Sequence, residues 1–130
     1  MERDLWQGRY FSSALDGDYR WAAIRYVKHN PVAAGMVERA HDYPWSSAAA
    51  RCGLLEDERL VTHRELKIGV QPEDWAGWLS QGDKPHEVKM LEKHVEKGLP
   101  CGEERFLKRL ERKAGRSLRF RAQGRPFLRQ

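Results

Sequence analysis

The alternation of apolar and polar positions predicts a chain made mainly of helices, preceded by one aromatic segment of different character. Residues 5–15 (LWQGRYFSSAL) carry aromatic side chains that favour a β-strand, and Gly8 is a candidate for a bulge within it. Because a lone strand does not form a stable sheet, it either pairs with a partner chain or has lost its sheet-mates. The pattern therefore predicts a mainly α fold with one or two N-terminal strands.

The first helix is predicted from about Asp18 to His29, with Asp16 as a capping residue in front of it. Pro31 lacks the N–H group that a helix interior uses, and it disfavours helical geometry at the residue before it, so we expect the helix to end there. A separate turn of helix over residues 32–34 would close at Gly35. One face of the first helix is shared, at 3.6-residue spacing, by Tyr19, Ala22, Ala23, Tyr26, Val27 and Asn30.

The rest of the chain also has helical periodicity, interrupted by glycine and proline signals. Its predicted helices lie at about residues 43–52, 64–67, 71–79, 85–98 and 103–114. The last of these places Phe106, Leu107 and Leu110 on one side and lysines and arginines on the other, and Gly115 ends it. Beyond it, the chain is basic, and we expect it to be flexible.

Positive charge is concentrated at the C-terminal end. The chain has 24 Lys and Arg against 19 Asp and Glu, and residues 101–130 contain ten basic residues against three acidic ones. A basic segment on a near-neutral body favours a polyanionic partner, most often nucleic acid, although a merely solvated tail has the same composition. The candidate DNA-binding residues are Arg105, Lys108, Arg109, Arg112, Lys113, Arg116, Arg119, Arg121 and Arg125.

Other features of the sequence narrow the class of protein. Cys52 and Cys101 have no metal-binding spacing and predict reduced thiols. No apolar run has membrane-spanning length, and the first ten residues lack the apolar core of a signal peptide. These features predict a cytoplasmic protein without membrane contact. Trp6, Trp21 and Trp45 could stack on unpaired bases, although packing in a core is the commoner role of tryptophan.

Tyr26 and Asn30 are the candidate catalytic pair, because residues four apart lie on one face of a helix. A phenol can attack a phosphodiester if a cation neutralises charge in the transition state, and an amide oxygen can help to bind that cation. The ordinary phenol pKa of about 10 makes tyrosine a poor nucleophile at neutral pH. None of the five histidines forms a metal-binding spacing with another. On spacing alone, a packed aromatic is the commoner role for Tyr26, and both interpretations stay open.

Four segments, taken in order, extend the interpretation: LWQGRYFSSAL, RYVKHNPVAAGMV, DYPWSSAAA and GLPCGEERFLKRLERKAGR. Together they resemble the REP-associated tyrosine transposases, which are single-strand transposases of the HUH nuclease group. The resemblance implies a ferredoxin-like α/β domain that binds and cuts single-stranded DNA near hairpins, followed by a helical extension. It implies that Tyr26 is the nucleophile that forms a 5′-phosphotyrosine. It also implies that Asn30 is an amide ligand of a Mg²⁺ or Mn²⁺ ion.

The chain departs from the family in one respect. The family's His–x–His pair lies upstream of the segment that LWQGRYFSSAL matches, so we expect the chain to correspond to the C-terminal half of such a transposase. Residues 1–53 would then be part of the catalytic domain, residues 54–115 the helical extension and residues 116–130 a basic flexible tail. We expect no metal to be bound by this chain alone.

The resemblance also implies partners. We expect single-stranded, hairpin-containing DNA, together with a second copy of the chain or a full-length transposase. Two alternatives stay open: a non-catalytic nucleic-acid-binding module, and a small helical interaction domain whose tail charge is only solubilising.

Overall fold

Helices dominate the computed structural model, which describes residues 12–55 and 72–121. They are α1 (Gly17–Ala33), α2 (Ala48–Arg51), α3 (Trp75–Ser80), α4 (Pro85–Glu96) and α5 (Glu104–Ala114), with a 3₁₀ turn at Ala40–Asp42. The described residues contain no regular strand, and Leu15 forms only an isolated parallel bridge with Cys101. The mainly helical prediction is therefore confirmed. A strand or a ferredoxin-like sheet is not seen in this part of the chain, and residues 5–11 of the predicted strand lie outside it.

Helix α1 continues through Pro31 to Ala33, so the prediction that Pro31 ends it was wrong, as was the exclusion of Asn30 from helical geometry. A proline costs one backbone hydrogen bond in a helix interior, but here it stands in the last turn. The turn closes with the N–H of Gly35 donating to the Val32 carbonyl and that of Met36 donating to the Pro31 carbonyl, both at 2.9 Å. This is the Schellman arrangement, and the positive φ of Gly35 (70°) supports it.

Asp16 caps the beginning of α1, as predicted, and also contacts the segment before α5. One carboxylate oxygen accepts from the Tyr19 N–H at 2.9 Å, and the other accepts from the Glu103 N–H at 2.7 Å. A Cβ atom at Gly102 would lie 2.5 Å from the Phe106 ring and 2.8 Å from Asp16, so no larger residue fits there without a shift. The cap therefore joins two segments that are far apart in sequence.

The remaining predicted helices are present where the structure describes them, but most are shorter. Helix α2 begins only at Ala48, because the preceding residues form turns, and the Ser46 hydroxyl accepts from the Ala48 N–H at 3.0 Å. Helix α3 begins behind its cap at Asp74, whose side chain accepts from the Gly77 N–H. Helix α4 starts at Pro85 as predicted, and α5 ends at Gly115 as predicted. The helix predicted at 64–67 lies outside the described residues.

The interior is built where α1 meets α3 and α4. Trp21, Trp75 and Trp78 contact one another with ring centroids 5.5–5.9 Å apart. Beside them, Leu79 packs against two buried alanines in a second small cluster. Edge-to-face packing of aromatic rings adds stabilisation beyond the area that they bury. The packing role is confirmed for Trp21, whereas the core prediction was wrong for Trp45, which is 80% exposed.

The buried side of α1 matches only part of the face that its apolar residues predict, since Ala22 of that face is buried. Val27, on the predicted face, is 64% exposed, whereas Arg25 and Lys28 are buried at 6% and 9% exposure. The tryptophan cluster lies on the Arg25 side of the helix, and the Arg25 guanidinium stacks on the Trp78 ring at 5.1 Å. Long basic side chains can cover aromatic surface with their apolar stems, so the number of apolar residues on a face located the packed side only in part.

Candidate active site and nucleic-acid interface

Tyr26 is held by a residue of another helix. Its ring is half-buried on α1, and its hydroxyl donates a hydrogen bond to Oε1 of Glu92 on α4, at 2.9 Å. The hydroxyl thus ends beside an exposed carboxylate, not within the hydrophobic interior. The geometry keeps the phenol accessible and fixes its direction.

The environment of Tyr26 favours the protonated phenol. The hydrogen bond to Glu92 is the main cause that raises the pKa of Tyr26 above its ordinary value, and burial and the negative charges of Glu92 and Asp83 add to it. Each of these effects stabilises the neutral phenol relative to the phenolate. Nucleophilic attack by Tyr26 therefore requires a group that takes its proton as the reaction proceeds.

Asn30 lies one turn further along α1 and lines a groove of about 400 Å³. One wall is the end of α1, and the opposite wall is the turn at 43–47, which contains the YPWSS sequence. Asn30 is exposed, and Trp45 stands in the opposite wall with its ring largely in solvent. The structure thus brings together two segments that carried the family resemblance. Tyr26 is not among the residues that line this groove.

Lys28 joins the two walls of the groove. Its side chain is buried, and its Nζ donates a hydrogen bond to the Ser47 hydroxyl. A buried ammonium group is unfavourable unless it finds polar partners, so this contact fixes the position of the turn against α1. Sequence inspection missed Lys28, because a lysine on a helix is usually taken as a solvated charge.

An ion-pair network fixes α1 against the beginning of α4. Arg25 NH2 lies 3.2 Å from Glu87 Oε2, and its Nε lies 3.7 Å from Asp83 Oδ1. His29 Nδ1 lies 3.2 Å from the other oxygen of Asp83. These contacts connect residues of α1 to the loop and first turn of α4. They set the relative position of the helices that carry Tyr26 and Glu92.

The described side chains do not form a metal site by themselves. No group of three His, Cys, Asp or Glu side chains in residues 12–55 and 72–121 could hold a metal ion. Asn30 offers a single amide oxygen, and His29, the nearest histidine in sequence, is paired with Asp83. Divalent Mg²⁺ and Mn²⁺ favour several oxygen ligands, so this set does not fit the ion that the resemblance implies.

Helix α5 carries the predicted basic surface. None of its residues is buried, and its basic side chains extend into solvent together with those of the following segment. The exposed basic residues of this surface, which we call the α5 basic face, are Arg105, Lys108, Arg109, Arg112, Lys113 and Arg116. Phosphate groups of a nucleic acid could approach them without any change in the packing of the helices. Arg121 is also exposed, and Arg125 lies outside the described residues.

Arg119 differs from the residues of the α5 basic face, because its guanidinium is hydrogen-bonded to two carboxylates. Within that face, Lys108 Nζ lies 3.7 Å from Glu104 Oε1, which is an ion pair but longer than a hydrogen bond. The Arg119 guanidinium donates two hydrogen bonds of 2.8 Å to Glu104 and a further one of 3.1 Å to Glu111. The Leu118 N–H donates to the same Glu111 carboxylate at 3.0 Å. The segment after α5 therefore folds back along the helix at this point. Phe120 continues the contact to α4, with its ring centroid 4.8 Å from that of His94.

The two cysteines are free thiols, as predicted. Cys101 is buried, and burial, together with the charge of Asp16, raises the pKa of its thiol to about 11. A thiol in this state is inert, since the thiolate is the reactive form. Burial also raises the pKa of the Cys52 thiol, so neither cysteine is a candidate nucleophile.

Sequence reasoning missed the acidic partners on and before α4: Asp83, Glu87 and Glu92. Asp83 precedes α4, and Glu87 lies in its first turn. Carboxylates are favoured at the beginning of a helix, so both residues had an ordinary structural explanation. No sequence signal connected Glu92 with Tyr26, from which it is separated by 66 positions.

Comparison with known proteins gives a partial match to one family. The chain is 31% identical over 77 residues to a REP-associated tyrosine transposase of Escherichia coli, a match that covers 58% of this chain and 38% of that protein. It is 32% identical over 77 residues to a Haemophilus influenzae protein assigned to the same family, covering 58% of this chain and 36% of that protein. The resemblance seen in the sequence motifs is thus confirmed over part of the chain.

The match covers only part of the relatives, which limits the properties that can be inferred for this chain from them. The chain spans little more than a third of the length of the curated relatives that it matches. No protein-family profile matches the chain, and no solved structure gives a significant match. Among residues 12–55 and 72–121, no helix has both the length and the apolar character needed to cross a membrane.

Proposed function

We propose that this chain is the tyrosine-bearing part of a single-strand DNA transposase that acts in the cytoplasm. Its α5 basic face binds DNA that contains a hairpin, and Tyr26 is the nucleophile that becomes joined to a DNA 5′-phosphate. The observation that carries the proposal is the match to two REP-associated tyrosine transposases, combined with a Tyr26 hydroxyl that remains at the surface.

The α5 basic face supports the binding part of the proposal. Its cations extend from one amphipathic helix without burial, which leaves them available to phosphate groups. Each phosphate neutralised by a lysine or arginine releases bound counterions, so affinity falls steeply with salt. Single-stranded DNA around a hairpin would bind through its backbone on this face.

The groove beside Asn30 supports a path for the strand near Tyr26. Trp45 presents an exposed aromatic ring there, and an aromatic ring can stack on an unpaired base. The role that family resemblance gives to Asn30 as a ligand of Mg²⁺ or Mn²⁺ depends on ligands other than the described side chains. A second copy of the chain or a full-length relative is the proposed source of those ligands.

The test of the catalytic part is a covalent adduct. The chain is incubated with Mn²⁺, a labelled hairpin-containing single strand and a full-length relative of distinct size, and labelled protein is separated under denaturing conditions. We expect label on this chain with the wild type and none with Tyr26→Phe. Tyr19→Phe, another half-buried tyrosine of α1, is the matched control and should form the adduct normally.

The test of the binding part is a salt titration of hairpin-DNA affinity. Replacing Lys108, Arg112 and Arg116 by alanine should reduce the slope of log affinity against log salt by about 2, at ~0.7 per phosphate contact with a single strand. A control variant loses the same charge at exposed sites away from α5, with alanine at Arg20, Lys89 and Lys97. Equal slopes for these two variants would refute the assignment of the α5 basic face.

A second candidate function is a non-catalytic nucleic-acid-binding module. It is favoured by one observation: Asn30 faces the groove, whereas the Tyr26 hydroxyl is bonded to Glu92 on α4. Under this alternative, Tyr26→Phe leaves hairpin binding unchanged and no adduct forms with either protein. The adduct experiment therefore separates the two functions, and the salt titration supports both equally.

A further inference from the structure

We propose that Glu92 is the residue that positions the Tyr26 phenol and accepts its proton during attack on DNA. This inference rests on the proposed function, since it concerns the same reaction. Glu92 lies on α4, in a part of the chain outside the motif that contains Tyr26. It touches the atom that would form the new bond, and no motif in the sequence pointed to it.

The geometry supports the assignment in two ways. The distance of 2.9 Å between the phenolic oxygen and Glu92 Oε1 is within the range for direct proton transfer to a general base. The positions of both residues are also fixed, because Arg25 of α1 pairs with Asp83, just before α4, and with Glu87 in the first turn of α4. The carboxylate therefore meets the hydroxyl through packed helices and not by the chance orientation of a loop.

The charges around the phenol make a nearby proton acceptor necessary. Glu92 and Asp83 both disfavour the phenolate, and Asp83 is itself compensated by Arg25 and His29. Because the phenol stays protonated at neutral pH, free phenolate is scarce. Proton transfer during attack avoids forming free phenolate beside two carboxylates.

The step balances in atoms and charge. As the phenolic oxygen of Tyr26 forms a bond to phosphorus, its proton passes to Glu92, and the bond between phosphorus and the 3′-oxygen of the preceding nucleotide breaks. Glu92 then returns the proton, directly or through water, to the departing 3′-oxygen, which leaves as a hydroxyl. The products are a 5′-phosphotyrosine and a free 3′ end, with the Glu92 carboxylate regenerated.

The experiment compares Glu92→Gln and Glu92→Asp with the wild type in the adduct assay, across pH. Glu96→Gln removes an exposed carboxylate one turn further along α4 and is the matched control. We expect Glu92→Gln to slow adduct formation by about 10² or more and to lose the acid side of the pH profile. Glu92→Asp should restore part of the rate, and Glu96→Gln should behave as the wild type.

A second measurement does not depend on DNA cleavage. An ultraviolet difference titration between each protein and its Tyr26→Phe counterpart gives the pKa of the Tyr26 phenol. Glu92→Gln should lower this pKa towards the ordinary value, because the carboxylate that stabilises the neutral phenol is gone. An unchanged pKa would show that the contact between Tyr26 and Glu92 does not exist in solution and would overturn the inference.

The outcomes of the adduct assay separate the inference from the proposed function. Wild-type adduct with an equal or faster rate in Glu92→Gln overturns the inference and leaves Tyr26 as the nucleophile. No adduct with the wild type at any pH overturns the proposed catalysis and the inference together. Equal thermal unfolding midpoints for the Glu92 variants and the wild type establish that a lost rate is not a lost fold.

Discussion

The junction of α1 with α4 and the surface of α5 use the same residue types in opposite ways. At the junction, Arg25 is buried on a tryptophan ring and paired with Asp83 and Glu87. On α5, five lysines and arginines lie in solvent, and no residue of the helix is buried. A basic residue thus holds helices together in one region and remains available to a partner in the other.

This difference shows what charge along a sequence does and does not reveal. The net positive charge of residues 101–130 correctly located a basic surface, because a charged side chain without a buried partner stays in solvent. No role was predicted for Arg25 from the sequence, and it belongs to the interior at 6% exposure. The two regions should respond differently to mutation and to salt, which allows their roles to be separated by experiment.

The largest expected effect is on the tryptophan cluster. Trp75→Ala removes a buried ring that contacts Trp21 and Trp78, and we expect a loss of about 3–5 kcal/mol in the free energy of unfolding. Trp45→Ala removes a ring of the same size from solvent and should cost about 0.5 kcal/mol or less. Urea unfolding measures both. Equal losses would contradict the division between core and groove, and Trp75→Phe provides a milder variant if the alanine protein does not fold.

The next effect concerns Arg25. Arg25→Met keeps much of the side-chain volume but leaves Asp83 and Glu87 without their buried cation, and we expect a loss of about 3 kcal/mol. This lies at the lower end for a buried ion pair, because the two carboxylates remain 17% and 27% exposed. Arg109→Met on α5 removes the same charge from the surface and should change stability by about 0.5 kcal/mol at most.

Chemical denaturation in low and high salt gives the readout for both arginine variants. If Arg109→Met proves as destabilising as Arg25→Met, the contrast between the two regions fails.

The fold could be predicted from the sequence where local rules were sufficient. Asp16 as a cap, Pro85 as a helix start and Gly115 as a helix end follow from backbone chemistry within a few residues, and the structure has each of them. The end of α1 was wrong because Pro31 alone suggested a stop. The closing bonds of the last turn, which depend on Gly35, determined where the helix ends.

The candidate site was predictable only in part, for a different reason. Tyr26 and Asn30 were identified from their spacing and from resemblance to a family, and both can be read from the linear sequence. Their partners in space could not be read in this way: Glu92 lies on a separate helix, and Ser47 binds a buried lysine on the side of α1 that looked polar. Contacts between distant segments depend on packing, which one sequence does not reveal.

The smallest expected effect concerns the segment after α5. Arg119 lowers the pKa of Glu104, and the Leu118 N–H and Arg119 lower that of Glu111. Groups with lowered pKa in the folded protein stabilise it above their unfolded value of about 4.3. The contribution is lost as pH falls through the lower folded values, so the segment should detach from α5 only in acid. The detachment can be measured by NMR as a change with pH in the chemical shift of the Leu118 amide, which donates to Glu111.

Arg119→Gln is the variant that tests this attachment. It should weaken the attachment at neutral pH and remove much of its acid dependence, without a measurable change in the unfolding of the core. If the Leu118 amide shift in Arg119→Gln changes with pH as it does in the wild type, Arg119 does not attach the segment to α5.

The measurement that tests the central claim most directly is the location of the covalent bond to DNA. After reaction with the labelled strand, Mn²⁺ and a full-length relative, the chain is digested and the peptide that carries the nucleotide is identified by mass spectrometry. We expect the nucleotide on the phenolic oxygen of Tyr26. A nucleotide on Tyr43 or on another residue, or label that persists in Tyr26→Phe, would contradict it.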